Sequence, residues 1–333
     1  MMNKELRIEN KIPFWLLICV FLALTPGFLT AADEEEGIKT SSELQLIVSS
    51  LPEVQLGFSQ SFIFPFLRGS NPLTEGNNIT AVLSAELTPL SLNGIGEVIW
   101  TPAAFSLLSG GGMIGSGWNI PLGSGIGINA PKDKGAPVPG PSDPPRKAKI
   151  YGEAFDGLLW SVWGAGTLQF DLGAIIPGDW THVLFQTRQE FRYAAYTGAS
   201  AGEPWVLKND DAENQNGWIY YASYVLGYQM PLSPVLDTIA FMAEVNKSLY
   251  NTPNGDYWGD GLGKWIFSGI FNFNFHPRFS TALIVQMRTR RNHGNVNLNN
   301  NDYYYRDLKL ESSEGKRRIP FYRVLAIFSY KIH

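Results

Sequence analysis

The 333-residue sequence holds one cysteine, Cys19, and four histidines. A single thiol excludes a disulfide framework and any cysteine-built metal cluster. Charge is sparse as well. Only 17% of residues are charged, with 26 basic against 30 acidic, a formal net charge of −4. No long basic run exists, which argues against a nucleic-acid partner. No apolar run reaches the ~18 residues of a membrane-spanning helix. Catalytic signatures are missing too: there is no His-Glu-x-x-His, no Gly-x-Ser-x-Gly and no phosphate loop. The expectation is a non-enzyme with no cofactor and no metal.

What the chain does have is 34 Gly, 21 Pro, 10 Trp, 14 Tyr and 20 Phe. That mix disfavours a helical bundle and favours many strands joined by turns. The first residues read as an address. Lys4, Arg7 and Lys11 precede the apolar run Phe14 to Leu24, then Pro26 and Gly27, then Thr30-Ala31-Ala32 before Asp33-Glu34-Glu35-Glu36. This is the layout of a secretory signal peptide over 1–32, cut after Ala31 or Ala32. Cys19 lies within it, and Ile18 is large for the position before a lipidated cysteine, so lipidation is the weaker reading of that residue. The expected organisation is the signal peptide, an N-terminal periplasmic segment over 33–52 and a barrel over 53–333.

Period-two alternation runs through the rest. Trp218, Tyr220, Ala222, Tyr224, Leu226 and Tyr228 form an apolar, aromatic set, and Ile219, Tyr221, Ser223, Val225, Gly227 and Gln229 a smaller mixed one. Trp265, Phe267, Gly269, Phe271, Phe273 and Phe275 alternate with Ser268, Asn272 and Asn274, and Leu283, Val285 and Met287 with Gln286, Arg288 and Arg290. Such alternation is a strand signature. The runs reach the ~9–11 residues that a tilted strand needs to cross a bilayer. Strands are expected near 54–66, 77–88, 94–108, 164–176, 181–195, 218–230, 237–250, 263–275, 279–291 and 319–332. The Gly-rich stretch 109–129 either extends the third strand or forms a further hairpin. The predicted fold is therefore an all-β, transmembrane, antiparallel up-and-down β-barrel of about ten strands, with twelve as the alternative.

The connections point the same way. Short turns near Pro177, Pro231 and Pro277 are expected to alternate with the long polar segments 196–217, 251–262 and 292–318, as periplasmic turns alternate with external loops. The proline-rich insert 130–149 falls on the external side. Trp160, Trp218 and Trp265 are expected at the external lipid interface, and Trp180 and Tyr330 at the opposite rim, where aromatic belts form. Outer-membrane lipid is then a partner, as is the barrel-assembly machinery during biogenesis.

The final strand, with Val324, Ala326, Phe328, Tyr330 and Ile332 on one face, resembles the C-terminal insertion signal of Gram-negative outer-membrane barrels. The phrases Leu56-Gly57-Phe58-Ser59-Gln60, Gly115-Ser116-Gly117-Trp118-Asn119, Trp163-Gly164-Ala165-Gly166-Thr167-Leu168-Gln169-Phe170-Asp171 and Leu226-Gly227-Tyr228-Gln229-Met230-Pro231 are similar to spirochaete outer-membrane proteins of uncharacterised role. The resemblance spans most of the chain after the signal peptide, at the level of pattern. It implies the outer membrane of a diderm bacterium and a porin-like barrel, and it brings no activity with it.

The polar faces carry Glu86, Asp171, Arg188, Glu190, Arg192, Glu244, Arg288, Arg290, Arg323 and Lys331. On an inward face such charges either pair across a narrow lumen or line a water-filled path. The sequence reading takes Arg188, Arg192, Arg288 and Arg290 as a selectivity ring, with Glu190 and Glu244 as counter-charges and Glu86 and Arg323 also lining the lumen. It predicts a narrow channel for small polar or anionic solutes. One alternative is a surface scaffold or adhesin whose external loops bind ligands, the Asn- and Tyr-rich segment 292–305 suiting such contacts. The other is a rim hydrolase built on His293 with Asp210 or Asp211. The acidic stretch 209–217 has oxygen ligands for calcium but the wrong phase for an EF-hand, and reads as a solvated loop.

Overall fold

The computed structural model describes residues 37–51, 53–118, 130–131, 155, 157–176, 178, 180–199, 205–206, 214–229, 233–250, 263–291 and 317–332. The signal segment 1–32, most of the insert 130–149, Asp210, Asp211, His293 and the segment 292–305 lie outside them.

Twelve strands close one antiparallel barrel. They are β1 (Lys39–Ser49), β2 (Val54–Pro65), β3 (Asn78–Thr88), β4 (Ser91–Ala103), β5 (Ser106–Gly117) and β6 (Leu159–Asp171). The second half is β7 (Val183–Tyr196), β8 (Gly217–Gln229), β9 (Leu236–Ser248), β10 (Lys264–His276), β11 (Phe279–Arg288) and β12 (Phe321–Lys331). Each strand pairs with its neighbours in sequence, and β1 closes on β12 from Glu43 opposite Lys331 to Ser49 opposite Leu325. Closure leaves no sheet edge, so every strand finds ladder partners on both sides.

The strand count corrects the expectation of ten and agrees with its alternative. Two strands account for the difference. Lys39–Ser49 lies in the segment 33–52 that the sequence reading set ahead of the barrel, yet it pairs with both β2 and β12. Ser106–Gly117 is a separate strand returning along β4, not an extension of it. Its outward positions include Gly110 and Gly112, which have no side chain to show alternation.

The barrel is inside-out relative to a water-soluble protein. Large apolar side chains point away from the axis: Ile114 is 57% exposed, Leu226 57%, Phe191 53% and Phe241 52%. Most of the nearly unexposed side chains are polar instead, among them Ser42, Ser91, Ser161, Ser268 and Glu190. Leaving such residues in water forgoes about 1.5–3 kcal/mol each, and they clothe every strand. Hydrocarbon removes that penalty. A strand of 10 to 14 residues also matches the span a tilted strand must cover.

Both ends of the barrel chain, Lys39 and Lys331, fall at the same mouth, called here the terminal mouth. The longest connections, 118–158, 197–216, 249–263 and 289–320, all leave from the other, the loop mouth. From β5 onward the predicted short–long alternation holds. From β1 to β4 it reverses. The turns 50–53 and 89–90 at the loop mouth are tight, and the longer 66–77 connection sits at the terminal mouth. That connection is well tied: Asn71 Oδ1 accepts from the backbone N–H of Leu73 at 2.9 Å and of Thr74 at 3.1 Å, and Asn77 Nδ2 donates to the Leu67 carbonyl at 3.0 Å.

Candidate functional site

Strand alternation decides which charges meet. On β7, Phe185 and Phe191 face outward, so Arg188, Glu190 and Arg192 face the lumen. Residues two apart on one strand face lie about 7 Å from each other, within reach of a guanidinium. Glu190 stands between the two arginines and is 2% exposed. Its Oε2 accepts from Arg188 Nη2 at 2.8 Å and Nε at 3.1 Å, and its Oε1 accepts from Arg192 Nε at 2.8 Å. A buried carboxylate is tolerable only with such partners on both oxygens.

The same group reaches across two further strands. Arg188 Nη2 also donates to Glu97 Oε1 on β4 at 3.3 Å. Trp163 on β6 donates Nε1–H to that same oxygen at 3.3 Å. The Arg192 guanidinium carbon sits 4.7 Å from the centre of the Trp163 ring, within cation–π range. Glu97, Trp163, Arg192, Glu190 and Arg188 therefore form a closed circuit on the lumen wall. Gly111 on β5 makes it geometrically possible. A Cβ at that position would meet the Trp163 ring and the Gly96 carbonyl oxygen, both at 2.6 Å. The indole passes over bare backbone there to reach Glu97.

Beside the circuit, Tyr221 on β8 is the register partner of Glu190, and its hydroxyl donates to Glu244 Oε1 on β9 at 2.6 Å. The circuit, a first network, thus joins β4, β6 and β7, and the Tyr221–Glu244 pair continues the polar wall to β9. A second network occupies the wall next to it. Arg323 on β12 donates from Nε to Gln286 Oε1 on β11 at 2.7 Å and from Nη1 to Glu53 Oε2 in the β1–β2 turn at 2.6 Å. Gln286 Nε2 in turn donates to Ser268 Oγ on β10 at 3.0 Å. Tyr322 carries the Arg288 guanidinium at 4.1 Å and that of Arg323 at 4.8 Å from its ring centre. The Glu53–Arg323 contact bridges the seam where the first strand meets the last.

The residues expected to line the lumen are distributed as follows. Arg188, Glu190 and Arg192 come together, Glu244 pairs with Tyr221 beside them, and Arg288 and Arg323 lie in the second network. Glu86 sits on the lumen side of β3, opposite Gly57 and Asn93, apart from both. The four-arginine ring is corrected: β11 ends at Arg288, and Arg290 lies beyond it, where Arg290–Arg291 pair with Arg317–Arg318. Arg188 and Arg192 share one carboxylate, so they form an ion-paired ladder and not a free cationic rim. Glu97, Trp163, Tyr221, Glu53 and Tyr322 are site residues that the sequence reading does not assign to the lumen. Trp163 fell just ahead of the predicted strand start at 164. Glu97 stands between Gly96 and the outward-facing Val98, a parity that marks a lumen-facing acid once β4 is recognised.

The aromatic residues named for the lipid interfaces sit on the outer surface. Trp160, Tyr193 and Trp218 run side by side across β6, β7 and β8 at the loop mouth, with ring centres 5.4 and 5.5 Å apart. Trp265 stacks on Phe267 at 6.0 Å on β10. At the terminal mouth Phe275 stacks on Phe279 at 6.0 Å, Tyr330 is the register partner of Phe279, and Trp180 projects from the β6–β7 connection at 59% exposure. At this rim His182 Nδ1 lies 2.9 Å from Asp171 Oδ2, whose other oxygen caps the short 3-10 turn after β6. That pair holds the turn. Among the described residues no group of three or more His, Cys, Asp or Glu could hold a metal ion.

No family model and no curated protein matches the chain. Among solved structures, the KdgM porin in complex with disordered oligogalacturonate aligns at TM-score 0.37 and 8% identity, covering 88% of this chain and 99% of that one. The NanC porin aligns at 0.37 and 6% identity, covering 88% and 98%. The translocator domain of the autotransporter NalP from Neisseria meningitidis aligns at 0.36 and 9% identity, covering 95% and 94%. Likenesses of this strength carry no argument about the chain. The closed barrel rests on its own strand pairing.

Proposed function

We propose that the chain is an outer-membrane barrel of a diderm bacterium that works as a narrow porin-like channel for small polar solutes, anionic ones included. The observation that carries the reading is the inversion of polarity. An apolar, aromatic-belted exterior surrounds a lumen whose wall holds hydrogen-bonded and ion-paired side chains from β4 round to β12. Such a wall suits water and polar solutes and repels apolar ones. Twelve strands fall between the ~8 whose interior side chains can fill and the ~16 that leave a wide aqueous channel, which fits a narrow path.

Lipid of the outer membrane and the barrel-assembly machinery are the partners this reading implies, and the loop mouth is then external. The spirochaete type remains the proposed kinship, on the phrases quoted above. Arg192 is the most accessible cation of the first network, its side chain 37% exposed, and with Arg188 it would favour anions locally. Glu190, Glu97 and Glu244 temper that preference. The test is reconstitution of the folded protein in planar bilayers. Discrete conductance steps with a finite reversal potential in a salt gradient support the channel. A sealed membrane holding protein that is demonstrably folded and inserted ends it, and leaves the scaffold reading.

A further inference from the structure

In the connection after β7, Trp205 turns back toward the lumen. Trp205 is 3% exposed, and it packs with Leu159 at 4% and Tyr196 at 1%, with Met113 and Ala199 beside them. Leu159 shares the lumen face of β6 with Trp163, Tyr196 that of β7 with Glu190 and Arg192, and Met113 that of β5 with Gly111. The indole therefore rests on the lumen side of the wall, at the loop mouth, beyond the charged circuit.

The seat is built, not incidental. Asn216 Oδ1 accepts from Trp205 Nε1 at 3.0 Å and from the Tyr196 N–H at 2.8 Å. Its Nδ2 donates to the carbonyls of Tyr196 at 3.1 Å and Ala199 at 3.2 Å. The Trp205 backbone is held on both sides by Asn214, its N–H donating to the Asn214 carbonyl at 3.0 Å and its own carbonyl accepting from Asn214 Nδ2 at 3.2 Å. The two residues Trp205–Val206 also pair with Ala130–Pro131 from the connection after β5. Tyr196 is pinned between two glycines: a Cβ at Gly157 would meet its ring at 2.3 Å and one at Gly198 at 2.4 Å. Ordinary surface loops do not invest a buried tryptophan and an asparagine with every polar atom engaged.

We infer that Trp205 determines the size limit of permeation. Seated over β5, β6 and β7, the indole takes up lumen cross-section on that side of the loop mouth. The inference rests on the channel reading and specifies its constriction. Asn216 is a positioning residue, since it acts through Trp205 and the end of β7.

The experiment compares wild type, Trp205→Ala, Trp205→Phe and Asn216→Ala in planar bilayers, after gel mobility with and without boiling has confirmed folding of each. Conductance, exclusion of polyethylene glycols of graded size, and the reversal potential in a potassium chloride gradient are read together. Trp205→Ala is expected to raise conductance by roughly twofold, because current follows the open cross-section at a constriction, and to move the polymer cut-off to larger sizes. Asn216→Ala should move both in the same direction, and Trp205→Phe less. Charge selectivity should stay put, since no charge is altered. A closed wild type with conducting Trp205→Ala supports the inference as well. Unchanged conductance and cut-off in every folded variant overturns it while leaving the channel intact. Silence of wild type and all variants alike removes the channel itself, and the size limit with it. If Trp205→Ala does not fold, the Phe and Asn216 variants decide.

Discussion

Replacing Glu190 by glutamine removes the one negative charge that two arginines share. At about 4 Å each Arg–Glu attraction is worth ~4 kcal/mol at an effective dielectric constant near 20 and ~1 kcal/mol in bulk water. The carboxylate is 2% exposed, so the higher end applies to it, and loss of one member of a buried pair typically costs about 3–5 kcal/mol. Glutamine keeps one acceptor oxygen but turns an amide N–H₂ toward one guanidinium. Glu190→Gln should therefore lower the temperature at which the folded gel band is lost. It should also unmask positive charge in the lumen. A monovalent ion passing about 7 Å away in water gains or loses ~0.6 kcal/mol, opposite in sign for anions and cations, so the permeability ratio moves by up to about sevenfold toward anions. Salt at 0.1 M, with a screening length of about 10 Å, trims this to a few-fold. The assay is the reversal potential across a potassium chloride gradient. A folded variant whose reversal potential matches wild type would refute the placement of this ladder beside the conducting path.

Three further outcomes follow from the geometry. Gly111→Ala forces a Cβ to within 2.6 Å of the Trp163 ring, so it should destabilise the barrel by about 1–3 kcal/mol and shift Trp fluorescence, while Gly164→Ala, whose Cβ meets nothing within 4 Å, should leave both unchanged. Phe241→Arg places a charge on the outer face and should cost about 2–4 kcal/mol in lipid, whereas Met242→Arg, one residue along and facing the lumen, should insert; equal tolerance of both in urea titrations of vesicle-embedded protein would contradict the outward-facing assignment. Glu53→Ala removes the 2.6 Å contact to Arg323 across the β1–β12 seam and should weaken the folded band by about 1.5–3 kcal/mol, with no comparable loss in Glu86→Ala.

How much of this was legible in the sequence depended on side chains speaking for themselves. β8 and β10 carry aromatic residues at nearly every outward position, and the predicted runs 218–230 and 263–275 match Gly217–Gln229 and Lys264–His276 within a residue. β5 was obscured because Gly110 and Gly112 erase the outward half of the pattern. β1 alternates Leu44, Leu46 and Val48 with Glu43, Gln45 and Ile47, but it follows an acidic run that reads as a linker. The site was half legible. Parity along one strand assigns Arg188, Glu190 and Arg192 to a common face without any structure. It cannot say that Glu97 on β4, three strands away from β7, shares Arg188, because lateral partners depend on register around the closed sheet. Trp205 lay beyond reach for the same reason: its neighbours are strand ends far apart in sequence.

The reversed asymmetry of the first four strands makes the two halves of the loop mouth unalike. From β1 to β4 the wall finishes at the loop mouth in the tight reversals 50–53 and 89–90, while every lengthy connection there springs from β5 to β12. Chain length at that entrance is consequently shared unevenly, with all of the long connections rooted on one arc of the wall. Short epitope tags grafted at Leu90 would sit level with the lipid headgroups, a convenient ruler for how deeply the barrel is immersed.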